Sequence, residues 1–271
     1  MYSENFHESL KAVEAAREGN IAYEPARMTA EEKEKLLAKY HPDYKKDEFD
    51  TLKIGANRGE PVPHELCEIL QAHSRISPAE IDLNNVRYDV DVLVIGGGGA
   101  GASAAIEAHN AGARTLIVTK LRIGDANTMM AEGGIQAADK ENDSPAIHFI
   151  DAFGGGHFAA KRELLRKLVC DAPGAIQWLN DLGVEFDKAE DGTMITTHGG
   201  GTSRKRMHAA KDYSGAEIMR TLRDEVINLG IDVADFTAAV ELILDENGNA
   251  AGAVLMNMET HELMVARAKT V

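Results

Sequence analysis

The amino-acid sequence predicts an α/β fold, in which a mostly parallel β-sheet follows a helical N-terminal extension. Residues 1–87 carry apolar residues at helical spacing between turn-forming residues. From Tyr88 onward, short β-branched apolar runs alternate with alanine-rich and amphipathic segments, an order typical of parallel sheets with crossover helices. Residues 232–271 read as successive strands separated by turns at 246–249 and 259–260. We therefore predict two regions, 1–87 and 88–271.

Composition restricts the class of protein. The chain has 271 residues, of which 44% are hydrophobic and 27% charged, sufficient for a buried core in one or two domains. The net charge of −15 argues against a nucleic-acid partner, because a phosphate backbone attracts clustered Lys and Arg. Cys67 and Cys170 form no C-x-x-C pair, as expected in a reducing compartment.

The sequence also bears on location. No run approaches the roughly 20 apolar residues that cross a bilayer, and the first residues lack the apolar core of a signal peptide. We expect a cytoplasmic protein without a direct membrane span. Peripheral docking on the cytoplasmic face of the inner membrane, through a partner subunit, remains compatible with this expectation.

Three helices are predicted in the N-terminal extension. The first has apolar residues on one helical face, Phe6, Leu10 and Val13. Thr29 and Glu32 have the spacing of a capping box that starts a second helix, which runs to about Tyr40. The third spans 64–76, before Ser77 and Pro78. The extension either packs on its own domain, which we favour, or docks a partner subunit.

The most informative motif follows a predicted strand at 89–95. Its six residues fit G-x-G-x-x-G, namely Gly96, Gly97, Gly98, Gly99, Ala100 and Gly101. Gly96 permits a tight exit from the strand, Gly98 allows close approach of a pyrophosphate, and Gly101 lets the next helix pack closely on the sheet. An alanine-rich helix to residue 112 and a second strand at 113–120 complete the β-turn-α-β context. The motif predicts a Rossmann-like dinucleotide-binding sheet.

The end of the second strand argues against a simple NAD dehydrogenase. The NAD fingerprint places Asp or Glu about 20 residues after the glycines, where it holds a ribose hydroxyl. Here the strand ends in Thr119 and Lys120 instead.

The segment TKLRIGDANTMMAEGGIQAA, residues 119–138, resembles the flavoprotein subunits of succinate dehydrogenase and fumarate reductase and their relative L-aspartate oxidase. The resemblance continues in 148–156, 199–206 and 208–222, and in the hairpin ENGNAAGAV. It implies that FAD is bound by the glycine loop and by residues of this segment, namely Thr119, Lys120, Asn127, Thr128, Met129, Ala131, Glu132, Gly133 and Gly134. The backbone near Ala239 is expected beside the adenine.

One position departs from many members of this family. Succinate dehydrogenases and many fumarate reductases carry a histidine that bonds covalently to the flavin, and the matching residue here is Asn127. Asparagine cannot form that bond, so the resemblance predicts non-covalent FAD. Loss of the covalent link favours fumarate reduction or an L-aspartate-oxidase-like activity over succinate oxidation.

Other polar segments give weaker predictions. The loop 197–208 is expected near the reactive face of the flavin, where Ser203 and a nearby arginine help to order the site. His198 and His208 lack the spacing of metal ligands. Asp212, one residue later than the acid of the family pattern, is predicted to cap the helix at 214–229. Two further helices are predicted at 161–172 and 174–182.

The resemblance defines an expected activity. It implies the FAD-binding part of an oxidoreductase that interconverts fumarate and succinate by hydride transfer at flavin N5, with electrons from an iron–sulfur partner subunit or another donor. The alternatives are an L-aspartate-oxidase-like flavoenzyme and a truncated FAD-binding module without turnover. The sequence ends at ARAKTV, before the family's A-T-G-G run, capping domain and dicarboxylate-binding residues. No catalytic residue is therefore assigned, and the 271-residue chain alone is expected to be inactive.

Overall fold

A computed structural model of the chain describes residues 4–24, 26–41, 45–55, 57–74 and 76–271, without the side chains of residues 5 and 46. The chain divides into two compact units, Met1–Arg75 and Ile76–Val271. Each unit is described by itself.

Within the described residues, the first unit combines three α-helices and one short 3-10 helix, Lys46–Glu48, with a two-stranded ribbon. Its elements are α1 (Glu4–Ala22), α2 (Ala30–Tyr40), β1 (Phe49–Thr51), β2 (Pro61–Pro63) and α3 (His64–Leu70). The capping box of Thr29 and Glu32 is confirmed, since each residue bonds the backbone N–H of the other. The third helix is shorter than predicted: it ends at Leu70, Gln71 takes the C-cap position, and the Gln71 side-chain carbonyl oxygen accepts the Lys53 N–H at 2.7 Å.

The second unit is built around a six-stranded sheet. Its elements in chain order are β3 (Val86–Ile95), α4 (Gly99–Asn110), β4 (Thr115–Val118), β5 (Ile135–Gln136), α5 (Pro145–Gly155), α6 (Arg162–Asp181), β6 (Met207–His208), α7 (Ser214–Asn228), β7 (Asp232–Ala234), β8 (Thr237–Leu244), β9 (Ala250–Asn257) and β10 (Leu263–Thr270). The sheet order is β7-β4-β3-β10-β9-β8. Strands β7, β4, β3 and β10 run parallel, and β9 and β8 extend them antiparallel. The predicted α/β class is confirmed.

Helix α6 corrects the prediction of two helices. It continues without a break through Pro173, although proline removes one helical hydrogen bond and commonly kinks a helix. Val169 lies before the proline and Ile176 and Leu179 after it, and all three are buried at helical spacing. Burial of one continuous apolar face outweighs the local cost of the proline.

The sheet carries an apolar cluster on each face. On one side, α4, α6 and α7 contribute Ile106, Ile176 and Met219 to the larger cluster, together with Val94 of β3. The neighbouring Leu93 belongs to the cluster on the other side, because successive side chains of a strand face opposite ways. The glycine loop therefore follows a strand whose Leu93 and Val94 are buried on opposite faces of the sheet.

Among the helices of the described residues, none is both long enough and apolar enough to cross a membrane.

The first unit should respond to pH through His64. Its Nδ1 lies 2.7 Å from Asp50 Oδ2 and its Nε2 lies 2.7 Å from the Asp47 carbonyl oxygen. Both oxygens accept hydrogen bonds, so the arrangement favours the doubly protonated ring. The hydrogen bond to Asp50, followed by that to Asp47, raises the pKa of His64.

A raised pKa stabilises the folded unit below the ordinary histidine pKa of about 6.5, and this stabilisation is lost as pH rises through the raised pKa. We expect lowering the pH from about 8 to about 6 to slow amide exchange in β1, β2 and α3, after correction for intrinsic rates. His64→Ala should abolish this extra protection, whereas His73→Ala should retain it. Equal pH dependence in wild type and His64→Ala would refute the assignment.

Candidate functional site

A cavity of about 540 Å³ opens at the carboxyl ends of β3 and β4, where open α/β sheets commonly bind ligands. Three segments form its walls. They contribute the predicted residues Gly96, Gly97 and Gly98 from the glycine loop, Thr119, Lys120 and Asn127 from the chain after β4, and Ala239 from β8. We call this space the glycine-loop cavity.

Backbone geometry requires glycine at two positions of this loop. Gly96 has φ of 114°, in the region that side chains disfavour. A Cβ on Gly101 would lie only 1.9 Å from the Gly96 carbonyl oxygen, so α4 can start here only without a side chain at that position. Gly98 occupies the N-cap position of α4 and provides no side-chain cap. Since Ala100 is exposed in the first helical turn, the positive end of α4 remains accessible to an anion.

The chain after β4 lies directly on the glycine loop. The Gly124 N–H donates to the Gly97 carbonyl oxygen at 2.9 Å, and a Cβ on Gly97 would lie 3.2 Å from Ile123 Cα. Farther along, the Thr128 hydroxyl oxygen accepts the Gly99 N–H at 3.2 Å. Thr128 therefore lies behind the cavity wall and bonds the start of α4.

The start of α7 supports the turn at residues 128–132. This role was not predicted from the sequence. The Gly215 N–H donates to the Ala131 carbonyl oxygen at 2.7 Å, and a Cβ on Gly215 would lie 1.9 Å from the Thr128 carbonyl oxygen. The Ser214 hydroxyl bonds the Glu132 carbonyl oxygen at 3.3 Å. The prediction that Asp212 caps this helix is wrong, because Tyr213 occupies the N-cap position without a side-chain cap. The sequence feature that could have indicated this role is the Ser214-Gly215 pair at the start of the predicted helix.

The remaining predicted residues lie away from the glycine-loop cavity. Met129 packs against the larger apolar cluster, and Glu132 and Gly133 are exposed. Gly134 lines a second cavity of about 740 Å³, together with Gln136, His148, Asp151, Asp171, Gly200 and Thr202. A Cβ on Gly134 would lie 2.4 Å from the His208 carbonyl oxygen, so close pairing of β5 with β6 requires this glycine.

A buried ion-pair network borders the second cavity. The Arg206 guanidinium is fully buried and donates to both oxygens of Asp143, at 2.6 and 2.9 Å, and to Asp151 at 2.6 Å. The Ser203 hydroxyl also donates to Asp151, at 2.8 Å. Burial opposes ionisation of Asp151, but the hydrogen bonds from Arg206 and Ser203 prevail and lower its pKa to about 2. Both charges of the pair are thus retained at neutral pH.

Ser203 and a nearby arginine are predicted to help order the flavin site. Ser203 and Arg206 both belong to this network. Ser203 and Arg206 anchor the loop before β6 to α5 through Asp151. His148 is buried one turn earlier, and burial lowers the pKa of its ring. Within the described residues, no group of three or more His, Cys, Asp and Glu side chains is arranged to hold a metal ion.

The parallel strands, the glycine turn and the exposed start of α4 define a dinucleotide-binding domain. Comparison with known families gives the same class and specifies the nucleotide. The chain belongs to the FAD binding domain family, whose model matches residues 91–271.

The individual relatives include an L-aspartate oxidase, a fumarate reductase and a chain of an Sdh1 complex. L-aspartate oxidase of Streptomyces coelicolor is 37% identical over 61% of this chain and 29% of its own length. A fumarate reductase (CoM/CoB) chain of Methanothermobacter marburgensis is 37% identical over 68% of this chain and 34% of its own length. The Mycobacterium smegmatis Sdh1 complex in the apo form contains a chain with 36% identity and a TM-score of 0.65, matched over 68% of this chain and 34% of that one. The present chain thus spans about a third of these relatives.

The contact between Gly101 and Gly96 leads to a stability prediction. Gly101→Ala should destabilise the second unit by at least about 2 kcal/mol, since the added methyl group displaces a backbone carbonyl rather than a flexible side chain. Gly154→Ala is the matched control, because that helical glycine has nothing within 4 Å of an added Cβ. Chemical denaturation would measure both changes. Equal stability of the two variants would contradict the close contact between Gly101 and the Gly96 carbonyl.

Proposed function

We propose that this chain binds FAD non-covalently and forms the FAD-binding part of an oxidoreductase that interconverts fumarate and succinate. The observation that carries the proposal is the glycine-loop cavity, which brings Gly96–Gly98 together with Thr119, Lys120 and Ala239 from distant parts of the sequence. The family match supports FAD as the nucleotide, and the relative named fumarate reductase supports the reaction.

The cavity offers groups suited to a dinucleotide. The start of α4 presents backbone N–H groups and the positive end of a helix dipole, which stabilise phosphate charge. The opposite wall, Thr237–Ala239, offers strand backbone and small side chains that suit the flat adenine ring. Asn127 also lines the cavity, and its amide is not a nucleophile that can attach a flavin.

Bound FAD supplies a ring that accepts or donates a hydride. Interconversion of fumarate and succinate also requires fixed cations that bind two carboxylates. The described residues that line the second cavity include Asp151 and Asp171 but no Lys or Arg. The neighbouring Arg206 is already paired with two aspartates. We therefore assign dicarboxylate binding to other parts of the whole protein.

Electron supply is proposed to come from an iron–sulfur partner subunit. The sequence contains two cysteines, Cys67 buried and Cys170 exposed, whereas iron–sulfur clusters are commonly held by four. We place the protein in the cytoplasm, where such a partner could attach it to the inner membrane. Residues 1–87 are proposed as a helical extension of the FAD-binding domain.

Two alternatives have specific support. An L-aspartate-oxidase-like activity is favoured by the Streptomyces coelicolor relative and by the predicted non-covalent flavin. A binding module without turnover is favoured by the absence of Lys and Arg among the described residues of the second cavity.

Flavin binding is tested by purifying the chain with FAD, recording its visible spectrum and precipitating it with acid. We expect a yellow protein that releases all its flavin into the supernatant. Flavin retained in the pellet would contradict the non-covalent assignment. A folded but colourless protein would contradict the FAD site.

Turnover is tested with the flavin-loaded chain and three substrates: fumarate with a reduced dye, succinate with an oxidised dye, and L-aspartate with oxygen. We expect no turnover, because the described residues that line the second cavity include no Lys or Arg to bind either carboxylate. Activity with fumarate or succinate would refute the inference that this chain lacks the dicarboxylate site. Activity with L-aspartate alone would favour the first alternative.

A further inference from the structure

Asp235 lies in the turn between β7 and β8 and contacts a distant part of the chain. Its Oδ1 accepts the Ile123 N–H at 2.7 Å, across 112 residues of sequence. Asp235 is exposed, whereas Ile123 is buried. The hydrogen bond therefore joins a buried residue to a turn at the surface.

This bond extends a series of backbone hydrogen bonds between the same two segments. The Thr119 N–H donates to the Ala234 carbonyl oxygen at 3.1 Å, and the Thr237 N–H donates to the Thr119 carbonyl oxygen at 2.8 Å. The Phe236 N–H then donates to the Leu121 carbonyl oxygen at 3.3 Å. Beyond Leu121, the pairing of these two segments continues through the Asp235 side chain.

Ile123 is where the chain after β4 reaches the glycine loop. A Cβ on Gly97 would lie 3.2 Å from Ile123 Cα, and the next residue, Gly124, bonds the Gly97 carbonyl oxygen. Asp125, Ala126 and Asn127 follow at once and line the glycine-loop cavity. A shift at Ile123 would therefore move this wall relative to the glycine loop.

Asp235 also connects to the opposite wall. The Thr237 hydroxyl donates to the Asp235 carbonyl oxygen at 2.9 Å, and Thr237 is the first residue of the wall formed by β8. Asp235 thus bonds both the segment that follows β4 and the segment that follows β7. Each of these segments continues into the cavity wall.

We propose that Asp235 is a positioning residue of the FAD site: its carboxylate holds Ile123, and with it residues 125–127, in place against the glycine loop and β8. The inference rests on the proposed FAD site. Asp235 itself is not among the residues that line the cavity, so it acts through the loop that it holds.

Two removal variants and two controls test the inference. Asp235→Ala removes the acceptor, and Asp235→Ser replaces it with a shorter hydroxyl. Asp235→Asn keeps a side-chain carbonyl oxygen at the same reach. Asp232→Ala changes an exposed aspartate of the adjoining strand β7 without touching the Ile123 bond.

The affinity for FAD, measured by quenching of flavin fluorescence, is the first readout. Loss of a hydrogen bond to a charged acceptor is expected to weaken binding about tenfold in Asp235→Ala and Asp235→Ser. Asp235→Asn should recover most of this loss, and Asp232→Ala should match wild type. Unchanged affinity in both removal variants, or an Asp235→Asn variant as weak as Asp235→Ala, would overturn the inference.

Amide exchange of the FAD-free proteins is the second readout and does not depend on the proposed function. The Ile123 amide should exchange about tenfold faster in Asp235→Ala than in wild type or Asp235→Asn. If wild type binds no FAD, the proposed function fails, and this comparison still decides whether Asp235 positions the loop. Equal exchange of the Ile123 amide in wild type and Asp235→Ala would overturn the inference.

Discussion

The close approach of Gly101 to the Gly96 carbonyl oxygen is the constraint on which the site depends. A side chain at position 101 would occupy the space of that carbonyl, so α4 could not begin immediately after β3. The short turn directs the start of α4 toward the end of the sheet, where its unpaired N–H groups can face an anion. Because Leu93 and Val94, near the end of β3, are buried on opposite faces of the sheet, the core holds the strand that leads into this turn.

The other walls are held on this turn mainly through backbone atoms. Gly97 bonds Gly124, and Thr119 bonds Thr237, while Gly215 approaches the Thr128 carbonyl oxygen too closely for a side chain. Backbone contacts depend on small residues rather than on particular functional groups. This explains a site rich in glycine and alanine, in which few side chains, such as Asp235 and Thr128, take a positioning role.

The sequence predicted what is encoded locally. The glycine spacing, the β-branched runs and the capping box of Thr29 and Glu32 each depend on neighbouring residues, and the structure has the corresponding turn, strands and helix. The bond between Asp235 and Ile123 and the pairing of Arg206 with Asp143 and Asp151 join residues far apart in sequence. No local pattern marks such pairs. Pro173 misled the prediction for a related reason, since tertiary burial keeps α6 continuous.

We propose that three separate segments of the chain form one FAD site. Amide exchange of the chain with and without saturating FAD tests it most directly. We predict slower exchange on FAD binding in 96–101, 119–128 and 237–239. Binding without protection of the glycine loop, or protection confined to other segments, would contradict this FAD site.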